Sequence, residues 1–177
     1  MATNIEQVAG YLDQLQLRYD RHPDQVSLIT GFQTKHYVDS RGHNGILLVI
    51  TVEENGEFIK FYAPGIYVYP PGPHTEAVMQ TLLNICYITK MLQFEYDPKD
   101  GEIRAMIEFP VEDSTLTQRQ VARCIGALAS FADQYHAVVS AAIERGEKAD
   151  EESFLRNEYN LRLAEIRERR GDIGLEG

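Results

Sequence analysis

Residues 93–109 read QFEYDPKDGEIRAMIEF, and they run directly into a long amphipathic segment that ends at Arg145. Polar and apolar residues alternate on both sides of the central DPKDG, which is the pattern of a β-strand with one solvent-exposed face. The central residues carry turn chemistry, because Asp97 can bond back to the backbone, Pro98 presets its own φ and Gly101 tolerates a positive φ. We therefore predict a β-hairpin.

A single register of this hairpin satisfies both faces of its two strands. Apolar residues then oppose each other on one face, and opposite charges oppose each other on the other face. The predicted pairs are Tyr96 with Ile103, Phe94 with Ala105 and Glu95 with Arg104. We expect the last of these to form a cross-strand ion pair.

The amphipathic segment that follows predicts one long helix. Thr117 is a good N-cap, Gln120 can complete a capping box, and Gly146 supplies the stop. A helix of about seven turns needs a broad sheet face beneath it. Its apolar residues recur at helical spacing and are Val121, Ile125, Leu128, Ala132, Tyr135, Val139 and Ile143.

Asn55-Gly56 predicts a second hairpin between strands 46–53 and 57–63, because both residues accept the positive φ of a two-residue primed turn. This turn sets a register in which apolar residues again oppose each other. The pairs are Val52 with Ile59, Ile50 with Phe61 and Leu48 with Ala63.

The N-terminal part of the chain predicts a helix and a strand. The helix is expected over residues 4–19, where Thr3 and Glu6 form a candidate capping box. The strand is expected over residues 26–32. Residues 64–74 are rich in proline, so we expect an extended crossing that could follow a sheet edge but not a central strand.

Two further helices are predicted. Residues 75–91 are apolar on most of the helix circumference, so this helix is either buried between layers or covered by a partner. Residues 147–170 are rich in Glu and Arg and predict a helix that is solvated on most sides.

This order of elements indicates an α+β fold of two layers, in which an antiparallel sheet of two hairpins plus one N-terminal strand packs with helices. We divide the chain into a domain of residues 1–146 and a charged C-terminal helix and tail of residues 147–177. The tail is expected to be an appendage, so that its deletion leaves the core folded.

The composition limits the classes of partner. The chain has 177 residues and a net charge of −10, which argues against nucleic acid and anionic membranes, since both attract clustered Lys and Arg. No apolar run approaches the length of a membrane span, and the N-terminus has no leader pattern. We therefore predict a cytoplasmic protein, with Cys86 and Cys124 as reduced thiols among apolar neighbours.

Three features carry a family resemblance: Leu82-Leu83-Asn84 in the second helix, the second hairpin with its acidic-glycine turn, and the long-helix pattern Leu128, Ala132-Asp133, Tyr135 and Val139. On these residues the chain, from about residue 5 to residue 145, resembles the YbjN-domain family of proposed bacterial sensory transduction regulators. The resemblance implies the fold of type III secretion chaperones, no enzymatic activity, frequent dimers and action through protein binding.

The histidines show no ligand spacing such as a pair four residues apart on a helix. His36 and His43 share one predicted loop with Asp39, so a weak metal site is conceivable there, although solvated loop histidines are the commoner case. Asp133 and His136 lie three residues apart on the long helix, and we interpret them as bonding to solvent or to a neighbouring element. We predict no catalytic residue, no metal and no cofactor.

The candidate partner-binding residues are Tyr62, Tyr67, Tyr69 and Met79. Tyr67 and Tyr69 alternate with apolar residues beside the Pro-rich crossing, and amphipathic aromatic side chains are common on recognition surfaces. The alternative is that both rings only cover the edge of the core. Asn84, in a nearly all-apolar helix, is either a polar anchor that bonds a neighbouring backbone or a ligand contact.

The preferred hypothesis is a non-catalytic, chaperone-like or regulatory module. It would bind a protein client, or a second copy of itself as a homodimer, along sheet surfaces and an exposed helix. The alternative is a small-molecule sensor with a pocket between the sheet and the second helix, lined by Asn84 and Tyr67.

Overall fold

The computed structural model describes residues 3–23, 26–112 and 114–172. They form an antiparallel six-stranded sheet, in the order β1-β2-β3-β4-β6-β5, that packs with four helices. The predicted α+β fold is confirmed. The elements are α1 (Ile5–Gln14), β1 (Tyr19–Arg21), β2 (Ser27–Gln33), β3 (Gly45–Glu53), β4 (Phe58–Val68), α2 (Thr75–Ile88), β5 (Gln93–Tyr96), β6 (Glu102–Pro110), α3 (Gln118–Arg145) and α4 (Glu151–Asp172).

The long helix α3 is the centre of the helical layer. It packs against β3, β4 and β6, and α1, α2 and α4 pack along it. The predicted capping box of Thr117 and Gln120 is present, and Gly146 ends the helix with a φ of 68°. The predicted apolar stripe is buried from Val121 to Val139 and meets the inward-facing side chains of the sheet, among them Ile50 and Phe61.

The two predicted hairpins have the expected registers. Val52 pairs with Ile59, and Phe94 pairs with Ala105. Asn55 and Gly56 have φ values of 56° and 100°, as a primed turn requires. The β3–β4 ladder ends one pair earlier than predicted. The pair Leu48–Ala63 is therefore not formed, because the last pair joins Val49 and Tyr62.

The predicted ion pair between Glu95 and Arg104 is wrong. The two residues do oppose each other, but the Arg104 guanidinium binds Glu102 Oε2 at 2.5 and 2.8 Å. Residues two apart on one strand share a face, and the other oxygen of Glu102 is held by the N–H of Gly65 at 2.9 Å. The carboxylate of Glu102 is thus fixed beside Arg104.

The Pro-rich crossing is also different from the prediction. β4 continues to Val68, and a register irregularity between Ala63 and Tyr67 accommodates Pro64 and Gly65. Residues beyond it pair with β6 inside the sheet instead of following an edge. A bulge permits this, because Pro64 then has no ladder bond to donate.

The start of α1 corrects the predicted capping box. Asn4 is the N-cap, and its side chain accepts the N–H of Gln7 at 2.8 Å. Thr3 is buried and its hydroxyl accepts the N–H of Leu116 at 3.0 Å. Glu6 is bound to Arg21 at 2.7 Å.

Two predicted helices end early, α1 just before a residue with positive φ and α2 at the extended residue Thr89. α1 ends at Gln14, before Gln16 with a φ of 57°, and residues 19–21 form a strand that the sequence pattern did not reveal. α2 ends at Ile88, before Met91 with a φ of 69°.

The beginning of the tail belongs to the core. Ala149 donates its N–H to Thr81 at 3.1 Å and accepts the side-chain N–H of Asn84 at 2.9 Å. Phe154 is buried, and its ring lies 5.9 Å from that of Tyr135. The division of the chain at residue 146, with a separable tail, stays a prediction, and these contacts count against it.

We predict that Gly101→Ala destabilises the protein while Gly126→Ala does not. A Cβ at Gly101, where φ is 79°, would lie 2.3 Å from the backbone N of Pro70. We expect a loss of about 3 kcal/mol in the free energy of unfolding and a fall in Tm of about 10 °C. Gly126 is helical with open space around it, so the same change there should stabilise by about 0.5–1 kcal/mol. Thermal and urea unfolding of both variants measure this, and equal effects would contradict it.

We predict that Phe154→Ala lowers the free energy of unfolding by about 3 kcal/mol, because it removes a buried ring. The matched variant Leu155→Ala, at a side chain that is 61% exposed, should change the free energy of unfolding by less than about 0.5 kcal/mol.

Deletion of residues 147–177 should lower the free energy of unfolding by at least as much as Phe154→Ala. A truncated chain with an unchanged Tm would show instead that the tail is dispensable.

Candidate protein-binding surfaces

The outer side of α2 exposes large apolar side chains. Leu83 is 69% exposed and Tyr87 is 90% exposed, one helical turn apart. Ile88 and Met91 continue the surface with exposures of 48% and 46%. We call these four residues the α2 patch. Exposed apolar side chains close together on a folded chain are a common feature of interaction sites.

The opposite side of α2 is buried in the core through Val78, Leu82 and Ile85. The sequence predicted a helix either enclosed between layers or covered by a partner. Within the described residues, the chain itself encloses only the inner half of this helix. The outer half is the part that a partner could cover.

The sheet provides a second surface, on the side away from the shared core. Ile29, Val49, Tyr62 and Met106 lie side by side in the register of β2, β3, β4 and β6. Lys60 borders them, with its Nζ 3.6 Å from Glu53 and 3.5 Å from Glu108. We call this the open sheet face. Val49 and Met106 are buried here without joining the core cluster.

The four predicted partner-binding residues do not share one surface. Tyr62 is half-buried on the open sheet face, whereas Tyr67 and Tyr69 are each 9% exposed and belong to the core cluster. Met79 is partly buried against the same core. The cause is strand periodicity, since positions 62 and 67 have opposite parity and point to opposite faces. A partner-binding role for Tyr67 and Tyr69 stays a prediction, and their burial counts against it.

Asn84 makes a structural contact. Its side-chain nitrogen donates to the carbonyl of Ala149 at 2.9 Å, so the amide holds the chain that leads into α4. The sequence left two roles open for Asn84, a polar anchor that bonds a neighbouring backbone or a ligand contact. The observed bond is that of the polar anchor.

Asp133 bonds to a neighbouring element, one of the two interpretations that the sequence left open, but the sequence did not identify its partners. Its carboxylate accepts the backbone N–H groups of Lys35, His36 and Tyr37 at 2.8–3.0 Å. In the sequence, Asp133 is visible only as an acidic residue beside the buried stripe of α3. The N–H groups that it binds are about a hundred positions away in the chain. Burial opposes ionisation of this carboxyl, yet the three N–H donors outweigh it, and the pKa of Asp133 lies below its usual value.

The loop histidines do not assemble a metal site in the part of the chain that is described, where no cluster of potential ligands occurs. Asp39 instead accepts the N–H groups of Arg41 and His43 at 2.9 and 2.8 Å.

In the part of the chain that the structure describes, none of the helices combines the length and apolarity needed to cross a membrane.

The arrangement of the sheet and helices is similar to that of solved structures. One is YbjN from E. coli, a proposed transcription regulator, with a TM-score of 0.52 and 11% sequence identity over 78% of this chain and 90% of that chain. The chain has a YbjN-like fold. A chain in the heterodimeric ExoU–SpcU complex from the type III secretion system of Pseudomonas aeruginosa aligns with a TM-score of 0.46 and 14% identity, over 76% of this chain and 96% of that chain.

The YbjN-like similarity concerns the fold alone, because the sequence identity is low. No family model and no curated protein matches the sequence. The resemblance to YbjN-domain proteins that the sequence predicted is thus confirmed for the fold.

We predict that Asp133→Asn destabilises the protein by about 2 kcal/mol at neutral pH, because an amide replaces a charged acceptor of three N–H groups. The depressed pKa of Asp133 means that its contribution is present above the usual value of 3.8 and is lost as the pH falls through the folded-state pKa. Urea unfolding of both proteins at several pH values should show the difference shrinking in acid. A difference that does not depend on pH would contradict the ionic role.

Proposed function

We propose that this chain is a non-catalytic protein-binding module, chaperone-like or regulatory, that forms a homodimer and engages a protein client in the cytoplasm. The observation that carries the proposal is the α2 patch. It groups four large apolar side chains that the rest of the chain leaves 46–90% exposed, and exposed apolar patches are common at interaction sites.

A second copy of the chain is the first expected occupant of the α2 patch. A single apolar helix face can pair with itself about a twofold axis, because the same residues then meet from both sides. Tyr87 would be the central anchor, since aromatic side chains dominate the binding energy of such interfaces. The four side chains supply an area on the order of a few hundred Å² per copy, less than the roughly 800 Å² per partner of a standard interface.

The neighbouring edge of the sheet supplies additional surface. Met91 lies two residues before β5, and β5 is the last strand in the sheet order. α2 packs beside β5, and the N–H of Phe94 bonds Cys86. An extended client segment would therefore add a strand along the rest of this edge, while its side chains contact the apolar patch. A dimer and a client would then occupy adjoining surfaces.

The sensor alternative, with a pocket lined jointly by Asn84 and Tyr67, has less support. Asn84 holds Ala149, whereas Tyr67 packs against the rings of Tyr37 and His136. The cleft that Tyr67 lines does not include Asn84.

We predict that wild-type protein is a dimer and that the double variant Leu83→Ser, Tyr87→Ser is a monomer, with the dimer weakened about a hundredfold or more. Both side chains are exposed, so the double substitution should not disturb the packing of the single chain, and the variant should remain folded. Sedimentation equilibrium and light scattering at micromolar concentration measure the oligomeric state.

The matched control is Tyr159→Ser, at an α4 side chain that is 62% exposed and outside the patch; it should remain dimeric. Two results would overturn the dimer proposal: a monomeric wild type at the highest soluble concentration, or a double variant that dimerises as strongly as the wild type.

A further inference from the structure

A cleft of about 340 Å³ opens on the helical side of the sheet, away from the α2 patch. Three segments form it: loop residues 38–40, residues 65–68 after the irregularity in β4, and the α3 face that carries His136 and Glu144. A volume of this size suits a small ligand or a single long side chain. No surface of the proposed dimer depends on it.

Two polar groups at this cleft lack partners within the described residues. Tyr67 is 9% exposed, and its hydroxyl has no hydrogen-bond partner among the described residues, but the oxygen itself is not enclosed. Nδ1 of His136 is buried and likewise unpartnered. By contrast, the hydroxyl of the neighbouring Tyr37 donates to the carbonyl of Ile66 at 2.7 Å. The Tyr67 hydroxyl is therefore a polar group without a protein partner in the wall of the cleft, where a bound group can reach it.

The charge at the cleft favours a cation. Asp39 and Glu144 contribute carboxylates, and neither Lys nor Arg is among the lining residues. Arg145 is 3.8 Å from Glu144 but binds Glu147 at 2.6 Å, so it leaves Glu144 largely uncompensated. Nδ1 of His43 lies 3.4 Å from Asp39.

The remaining groups at the cleft are consistent with a net negative charge there. The N–H of His43 is the main cause that lowers the pKa of Asp39 and keeps it ionised. Burial lowers the pKa of His136, so its ring adds no positive charge at neutral pH. Val68 and Ile143 give the cleft apolar walls.

We propose that this cleft binds an organic cation, an ammonium or guanidinium group carried on an apolar stem. The charged group lies between the carboxylates of Asp39 and Glu144 and donates a hydrogen bond to the hydroxyl oxygen of Tyr67. The stem packs on Val68 and Ile143. The same chemistry is offered by a free amine and by a Lys or Arg side chain of a protein.

The test is an NMR titration of methyl-labelled full-length protein with N-acetyl-arginine methylamide, with the uncharged citrulline analogue as the control ligand. We expect saturable shifts of the Val68 and Ile143 methyl signals with the arginine probe only. Glu144→Gln and Tyr67→Phe should each weaken binding about three- to fivefold. Glu165→Gln, an exposed carboxylate outside the cleft, should leave binding unchanged.

Three results would overturn the proposal: no saturable shift, an equal response to the citrulline analogue, or unchanged affinity in both cleft variants. Because Glu144 is exposed and Tyr67→Phe keeps the ring, both variants should retain the wild-type Tm. A second arm repeats the titration with the peptide acetyl-Gly-Gly-Arg-Gly-Gly-amide. Tighter binding of the peptide than of the amino acid probe assigns the cation to a protein partner, and equal or weaker binding assigns it to a free small molecule.

Discussion

The structure depends on the burial of one face of α3 against the middle of the sheet. This helix is 28 residues long and packs on three strands, and every other helix packs along it. The apolar side chains from Val121 to Val139 form the contact. Because hydrophobic burial is the dominant favourable term in folding, the docking of α3 also sets the positions of α1, α2 and α4.

A single helical layer of this kind leaves other surfaces of the chain free. α2 packs with its inner half and exposes its outer half, and the far side of the sheet carries its own row of apolar residues around Tyr62. The charges on that sheet face pair with each other, as Lys60 does with Glu108. The apolar side chains of the α2 patch are instead largely exposed to solvent. We place the main interface there because burying them would gain the most.

Asp133 connects the helical layer to the cleft. From α3 it holds the backbone of residues 35–37, and this places Tyr37 beside Tyr67 and His136 with ring centroids 5.9 and 5.2 Å away. Val38 and Asp39 follow directly and form one wall of the cleft. A carboxylate that looks like an isolated acid in the sequence is therefore the support of a loop.

The sequence by itself determined the local elements: both hairpin registers, the capped long helix and the α+β class. These follow from turn residues and from hydrophobic periods of two and 3.6, which act between residues close in the chain. Only the tertiary structure decided which side of α2 stays uncovered, that Arg104 binds Glu102, that β4 continues past Pro64, and that Asp133 binds Lys35 across 98 positions. Such choices depend on groups brought together by packing, and no local pattern encodes them.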